Sequence, residues 1–207
     1  MIFVAGCNCM RKMVTFILLS LLVLFGCSSE GNTKDGDATI NVADLTDAEE
    51  SLIEIMNSQS FAYDVEINNK DVKEIQATVD YYENGEFVKS ILNFSTEVDS
   101  EDPIRTVFMR QNANEDHEQW TSAVIKENGH ASAYTDPIEE KLEEMELSAW
   151  DGLNSPTPLF IGEKKVVAHI IQTNKDGISS LNNIETEADL KATLDYEQVY
   201  IMSVELK

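Results

Sequence analysis

Apolar positions along this chain change their spacing in a way that divides it into a leader, a linker and a strand-rich body. Met13 to Phe25 is an almost unbroken apolar run, and it stops at Gly26-Cys27-Ser28-Ser29. Ser28 to about Asn41 is rich in Ser, Gly, Asn and Asp with few apolar residues, the composition of a flexible linker, here taken as residues 27–43. The spacing then becomes helical. Ala48, Leu52, Ile55 and Met56 share one face, Thr46 is placed to cap it, and Glu49 completes a capping box, which predicts a helix from Asp47 to Asn57.

Beyond that point the period is two. Phe61, Tyr63, Val65 and Ile67 alternate with smaller or acidic residues, as in a strand with one buried face. The clearest local signal follows: Glu74–Glu83, then Asn84-Gly85, then Glu86–Phe94, a hairpin closed by a type I′ turn. A two-residue loop sets Ile75 opposite Phe94, Ala77 opposite Leu92 and Tyr81 opposite Val88. Asp80 then meets Lys89 on the other face. Further strands are expected at Ile104–Arg110, Gln119–Lys126 and His130–Tyr134, with Asn128-Gly129 as a second turn.

Asp136-Pro137-Ile138-Glu139 supplies an N-cap, a Pro at the first helical position and an acid, so a helix or long crossing segment is predicted through Ile138, Leu142 and Met145. Asn154–Pro158 ends it. Lys165–Gln172 is nearly all apolar, as in a strand buried on both faces, and Thr186 with Asp189 caps a short helix before a closing strand at Gln198–Leu206. About eight strands with one to three short helices predict a mainly β, single-domain β-sandwich, immunoglobulin-like, over residues 44–207. The alternative is a two-layer α+β fold.

The leader carries more specific chemistry. Arg11 and Lys12 precede the apolar run, which is too short for the roughly 20 residues that a membrane-spanning helix needs. Leu24-Phe25-Gly26-Cys27 resembles the lipobox of bacterial lipoproteins. That resemblance implies a signal peptide over residues 1–26, cleavage before Cys27, and a diacylglyceryl thioether on its thiol, with the freed amine open to a further acyl chain such as palmitate. Two chains anchor stably where one holds only marginally. Met1–Cys9 lies ahead of the charged residues, so Met10 or Met13 competes with Met1 as initiator. The Cys7-x-Cys9 pair offers two ligands where a tetrahedral metal site needs four.

Charge narrows the partners. The chain holds 15 basic and 38 acidic side chains, and without residues 1–26 the balance is 13 against 38, a net of −25. Such a surface repels nucleic-acid phosphates and anionic headgroups, so no nucleic acid is expected as a partner and attachment falls to the lipid on Cys27. With Cys27 acylated, no cysteine pair is left for a disulfide in the exported domain.

The sequence carries no recognisable catalytic, cofactor or metal motif. There is no G-x-S-x-G or S-x-x-K nucleophile motif. His117, His130 and His169 fall in separate segments without zinc spacing. A calcium reading of Asn174-Lys175-Asp176-Gly177 fails at the ends of the loop frame, where Gln172 and Asn183 stand in place of acidic ligands. The acids between Glu139 and Glu146 read as a solvated helix face, Trp120 as core, and Trp150 as either core or contact surface.

The lipobox, the acidic linker, the Tyr82-Glu83-Asn84-Gly85 hairpin and the Tyr196–Val204 ending together resemble small lipoproteins of Bacillus-type Gram-positive bacteria. The resemblance implies a β-rich domain tethered on the extracytoplasmic face of the cell membrane and brings no catalytic residues with it. The expected role is a non-enzymatic binding or interaction module of the cell envelope, facing another envelope protein or polymer. The alternative is a small-ligand-binding lipoprotein serving a transporter or receptor.

Overall fold

The computed structural model describes residues 36–56, 58–98, 103–114, 117–136, 145–178 and 183–207. The leader, Cys27 and the segment 137–144 lie outside them. In chain order the elements are β1 (Ala38–Val42), α1 (Asp47–Ile55), β2 (Ser58–Ile67), β3 (Glu74–Glu83), β4 (Glu86–Glu97), β5 (Ile104–Asn114), β6 (His117–Lys126), β7 (Gly129–Tyr134), β8 (Leu147–Gly152), β9 (Thr157–Leu159), β10 (Lys164–Thr173), α2 (Glu187–Leu194) and β11 (Gln198–Leu206).

The strands form the β-sandwich that the sequence pattern predicts. One sheet runs β7-β6-β5-β2-β1-β9 and the other β4-β3-β11-β10-β8, with every neighbouring pair antiparallel. The alternating positions of both sheets meet in one core. Ile40, Val65 and Phe108 come from the first sheet and Ile75, Ile170, Met202 and Val204 from the second, all fully buried. Between-sheet burial of such side chains is the dominant favourable term in the fold.

A second apolar cluster covers the outer face of the five-stranded sheet. Ile171, Val199 and Ile201 pack there with Ile184, Leu190 and Leu194 from α2 and the segment before it. This explains the near-continuous apolar runs of β10 and β11, whose alternate residues serve the two clusters. α2 is held by the Thr186–Asp189 capping box, and α1 by Thr46 and Glu49 as predicted.

Four details depart from the sequence reading. Ala38–Val42, placed in the linker, is strand β1. Its alternation is carried by Ala38 and Ile40, both fully buried, and five residues are too few to stand out from a polar segment. Leu147–Gly152, placed in the crossing segment, is edge strand β8, and Thr157–Leu159 is β9. The third departure is the hairpin register. The turn is right, since Asn84 and Gly85 have φ of 50° and 85° as a type I′ turn requires. Two irregularities in the β3–β4 ladder then shift the pairing to Ala77↔Phe94, Val79↔Leu92 and Asp80↔Ser90. Two one-residue shifts restore parity, which keeps the apolar side chains on one face while every predicted partner changes. Finally, the shared apolar face of the first helix, a pattern that predicts burial, is left open: α1 buries none of its residues, Leu52 and Ile55 are 58 % and 80 % exposed, and Met56 just past its end is 46 % exposed.

Candidate functional site

A dense polar network lies between the sheets, toward the end where β5 finishes and β6 and β11 begin. Inward-facing positions of three strands there carry Arg110 on β5, Glu118 on β6 and Tyr200 on β11, and the two charged side chains are only 12 % and 9 % exposed. Arg110 Nε donates to Glu118 Oε2 at 2.7 Å, Nη1 to Gln59 Oε1 at 3.4 Å and Nη2 to Gln172 Oε1 at 3.2 Å. Glu118 Oε1 also accepts from Trp120 Nε1 at 3.2 Å and from the Tyr200 hydroxyl at 3.4 Å.

The guanidinium lies 4.8 Å from the centre of the Tyr200 ring and 5.9 Å from that of Trp120, close enough for cation–π attraction. Tyr200 is in turn 5.2 Å from both Trp120 and Tyr81, ring centre to ring centre. Burial, with the Glu118 carboxylate beside it, pushes the Tyr200 hydroxyl pKa far above its ordinary value. This is a closed network: the three guanidinium nitrogens and both carboxylate oxygens are engaged by side chains of this chain. It fixes how the sheets meet and leaves its charged groups committed inside the fold.

The neighbouring edge is open. Gln172 and Ile170 both face inward on β10, and β8 pairs with them as Ser148 and Trp150. Trp150 therefore stands on the inward face of the edge strand, yet it is 53 % exposed. The six-stranded sheet explains this. β1 ends at Val42 opposite Tyr63, and β9 pairs only with Ala38–Ile40, so the Ser58–Ala62 half of β2 has β5 as its one ladder partner. Tyr63 marks the point where closure stops. Its hydroxyl donates to Val167 O at 2.7 Å and would sit 2.3 Å from any Cβ at position 152, so Gly152 is needed for the sheets to meet there. Burial pushes the Tyr63 hydroxyl pKa well up.

The backbone polarity of β8 follows from one bond. Leu153 N donates to Val167 O at 2.9 Å, which makes that a hydrogen-bonded pair and, by antiparallel alternation, turns Leu147, Ala149 and Asp151 toward β10. The N–H and C=O groups of Ser148, Trp150 and Gly152 point the other way. Gly152 N is occupied by Asp151 Oδ1 at 2.8 Å.

The remaining sequence candidates do not converge. Trp120 is fully buried, as expected of core. His169 is 2 % exposed on the outer face of β10, paired with Asp151 and packed near Asn183 and Ile184; burial lowers its pKa and the Asp151 charge partly offsets this. His130 is exposed on β7, and His117 begins β6. Asn174 Oδ1 accepts from Glu146 N, and Lys175 N donates to Thr173 Oγ1, so the tested loop is tied as a turn. The acids at 139, 140, 143 and 144 and residues 179–182 lie outside the described residues. No three His, Cys, Asp or Glu side chains cluster in metal-binding geometry among the described residues. An open groove of about 290 Å³ lies by the β6–β7 turn, lined by Ile104, Lys126, Glu127 and His130, and the Lys126 ammonium there is bonded to Glu97 O.

Sequence reading passed over Arg110, Glu118 and Gln172. The available signal was parity: Glu118 shares the alternation of Trp120, and Arg110 that of Phe108, so both charges fall on the inward face of their strands.

Comparison with family models matches residues 39–206 to the YgaN domain, a description that carries no activity. The match spans most of the chain, which therefore belongs to the YgaN domain family. No curated protein and no solved structure matches it.

Proposed function

We propose that this YgaN-domain protein is a lipid-tethered, non-enzymatic binding module of the cell envelope. The tether rests on the leader and on Cys27. With β1 starting at Ala38, the ten residues between it and Cys27 let the chain reach at most about 35–40 Å when extended, enough to hold the domain just clear of the headgroups. The surrounding sequence, with its strong excess of acid, gives no electrostatic adsorption to replace the lipid.

The binding role rests on one contrast within the fold. Arg110 and Glu118, the groups best suited to chemistry, are consumed by mutual bonds, whereas Trp150 stands exposed on an edge strand whose outward backbone groups bond to no described residue. Exposed aromatics on rigid strands are typical anchors of protein interfaces.

Photo-crosslinking in cells tests the reading. A photoreactive residue placed at position 150 of the membrane-bound protein should give one discrete adduct, absent when the same residue stands at position 191 on α2. Absence of any adduct across a scan of exposed positions, together with measured turnover of a substrate, would show an enzyme instead.

A further inference from the structure

Among the described residues, four strands form the edges of the two sheets, and three of them are guarded. β9 is three residues long and contains Pro158. β4 carries two ladder irregularities and Lys89, and it approaches β6 and β7 across the sandwich, which also shelters the edge of β7. These are devices by which native sheets avoid adding strands. β8, Leu-Ser-Ala-Trp-Asp-Gly, has none of them: no Pro, no Lys and no bulge in its ladder with β10. It exposes Leu147 (38 %) and Trp150, and its outward N–H and C=O groups at Ser148 and Trp150 bond to no described residue.

We infer that β8 is a strand-addition site for an extended peptide, which pairs with the backbone of Ser148 and Trp150 and lays an apolar side chain against the Trp150 ring. The inference rests on the binding-module reading and names its surface and partner class. Main-chain bonds in such a mode supply affinity, and side-chain pockets supply choice of partner. The ladder is bounded on one side, because Asp151 already occupies Gly152 N. At the other end Glu146 N is taken by Asn174. The added strand is therefore short, centred on residues 148–150.

Charge selects between occupants. Glu146, Asp151 and Asp176 lie on or beside β8, while nearby Lys175 is engaged with Asp195 O and the Tyr196 ring. A second copy of this chain would bring its own large acidic excess and the same acids to the edge. A neutral or basic-flanked peptide with alternating apolar residues meets no such repulsion.

The probe is a pool of dye-labelled synthetic decapeptides, alternating Val, Ile or Tyr with Thr and capped by Lys at each end, titrated against the full chain in detergent micelles. Saturable binding is expected, with slowed hydrogen exchange confined to residues 147–152. It should weaken at least tenfold when alternate peptide nitrogens are methylated. Ser148→Pro removes only an outward N–H and is tolerated at an edge, so it should keep the fold and weaken binding as strongly. Trp150→Lys should do the same.

Three results would overturn the inference: no saturable binding up to millimolar peptide, binding indifferent to methylation and to Ser148→Pro, or a dimer of the unliganded chain with the 147–152 amides protected. None of these touches the binding-module reading, which fails if crosslinking from every exposed position is empty and turnover of a substrate is measured.

Discussion

At the scale of single residues, the Arg110–Glu118 pair is where substitution should cost most. Removing one partner strands the other charge in a site about nine-tenths buried, so Arg110→Met or Glu118→Gln should each destabilise by about 3–5 kcal/mol. The double variant Arg110→Met/Glu118→Gln should cost clearly less than the two losses added, a difference that urea unfolding can resolve. Thr106 gives the opposite sign. Its hydroxyl is fully buried with no hydrogen-bond partner among the described residues, so Thr106→Val, which keeps the shape, should raise stability by about 1 kcal/mol.

His169 adds a pH dependence. Burial lowers its folded pKa below the unfolded value of about 6.5, so between those two values the unfolded chain binds more protons. Its contribution is full above about pH 6.5 and is lost as the pH falls below that value. The urea midpoint of wild type should therefore drop more between pH 7.5 and 5.5 than that of His169→Gln.

At the scale of elements, β8 offers a parity test. Proline at 148 removes an outward N–H, whereas proline at 149 removes one that faces β10 and orphans its acceptor. Ala149→Pro should thus lose about 1–3 kcal/mol more than Ser148→Pro, and equal losses would show that the edge has been assigned to the wrong residues. For the hairpin, cross-strand nuclear Overhauser contacts should link Ala77 to Phe94 and not to Leu92.

Most of the sandwich was legible because alternation along a ten-residue strand is a strong signal, as in β2 and β3, and because unbroken apolar runs such as β10 and β11 mark strands buried on both faces. β1 and β9 were not, since five and three residues carry too few alternations to rise above their polar surroundings. β8 was hidden for another reason: Ala149 and Trp150 continue an apolar spacing that also fits a helix. The ladder shifts in β3–β4 leave no mark at all in the alternation, because two of them preserve it. Of the candidate site, Trp150 was visible as an aromatic of undecided burial. Its exposure depends on where β1 stops, which lies more than a hundred residues away in the chain.

At the scale of the whole molecule, the acidic surface opposes its own compaction, and in the proposed reading a lipid tether does what charge cannot. Screening should therefore raise the melting temperature as salt increases from about 0.01 to 0.15 M, where the Debye length shrinks from about 30 to 8 Å. A flat or falling trend would mean that the acids are offset locally. The two sheets, the closed polar network and the open edge together make up the proposed binding module, and its proposed placement outside the cell depends on one cysteine.

That placement is best tested by mass spectrometry of the amino terminus of the membrane-bound protein. The account predicts a chain that begins at Cys27 and carries a diacylglyceryl group on its sulfur, lost together with membrane retention in Cys27→Ser. An amino terminus upstream of Cys27, or an unmodified thiol on a protein that stays in the membrane fraction, would contradict it.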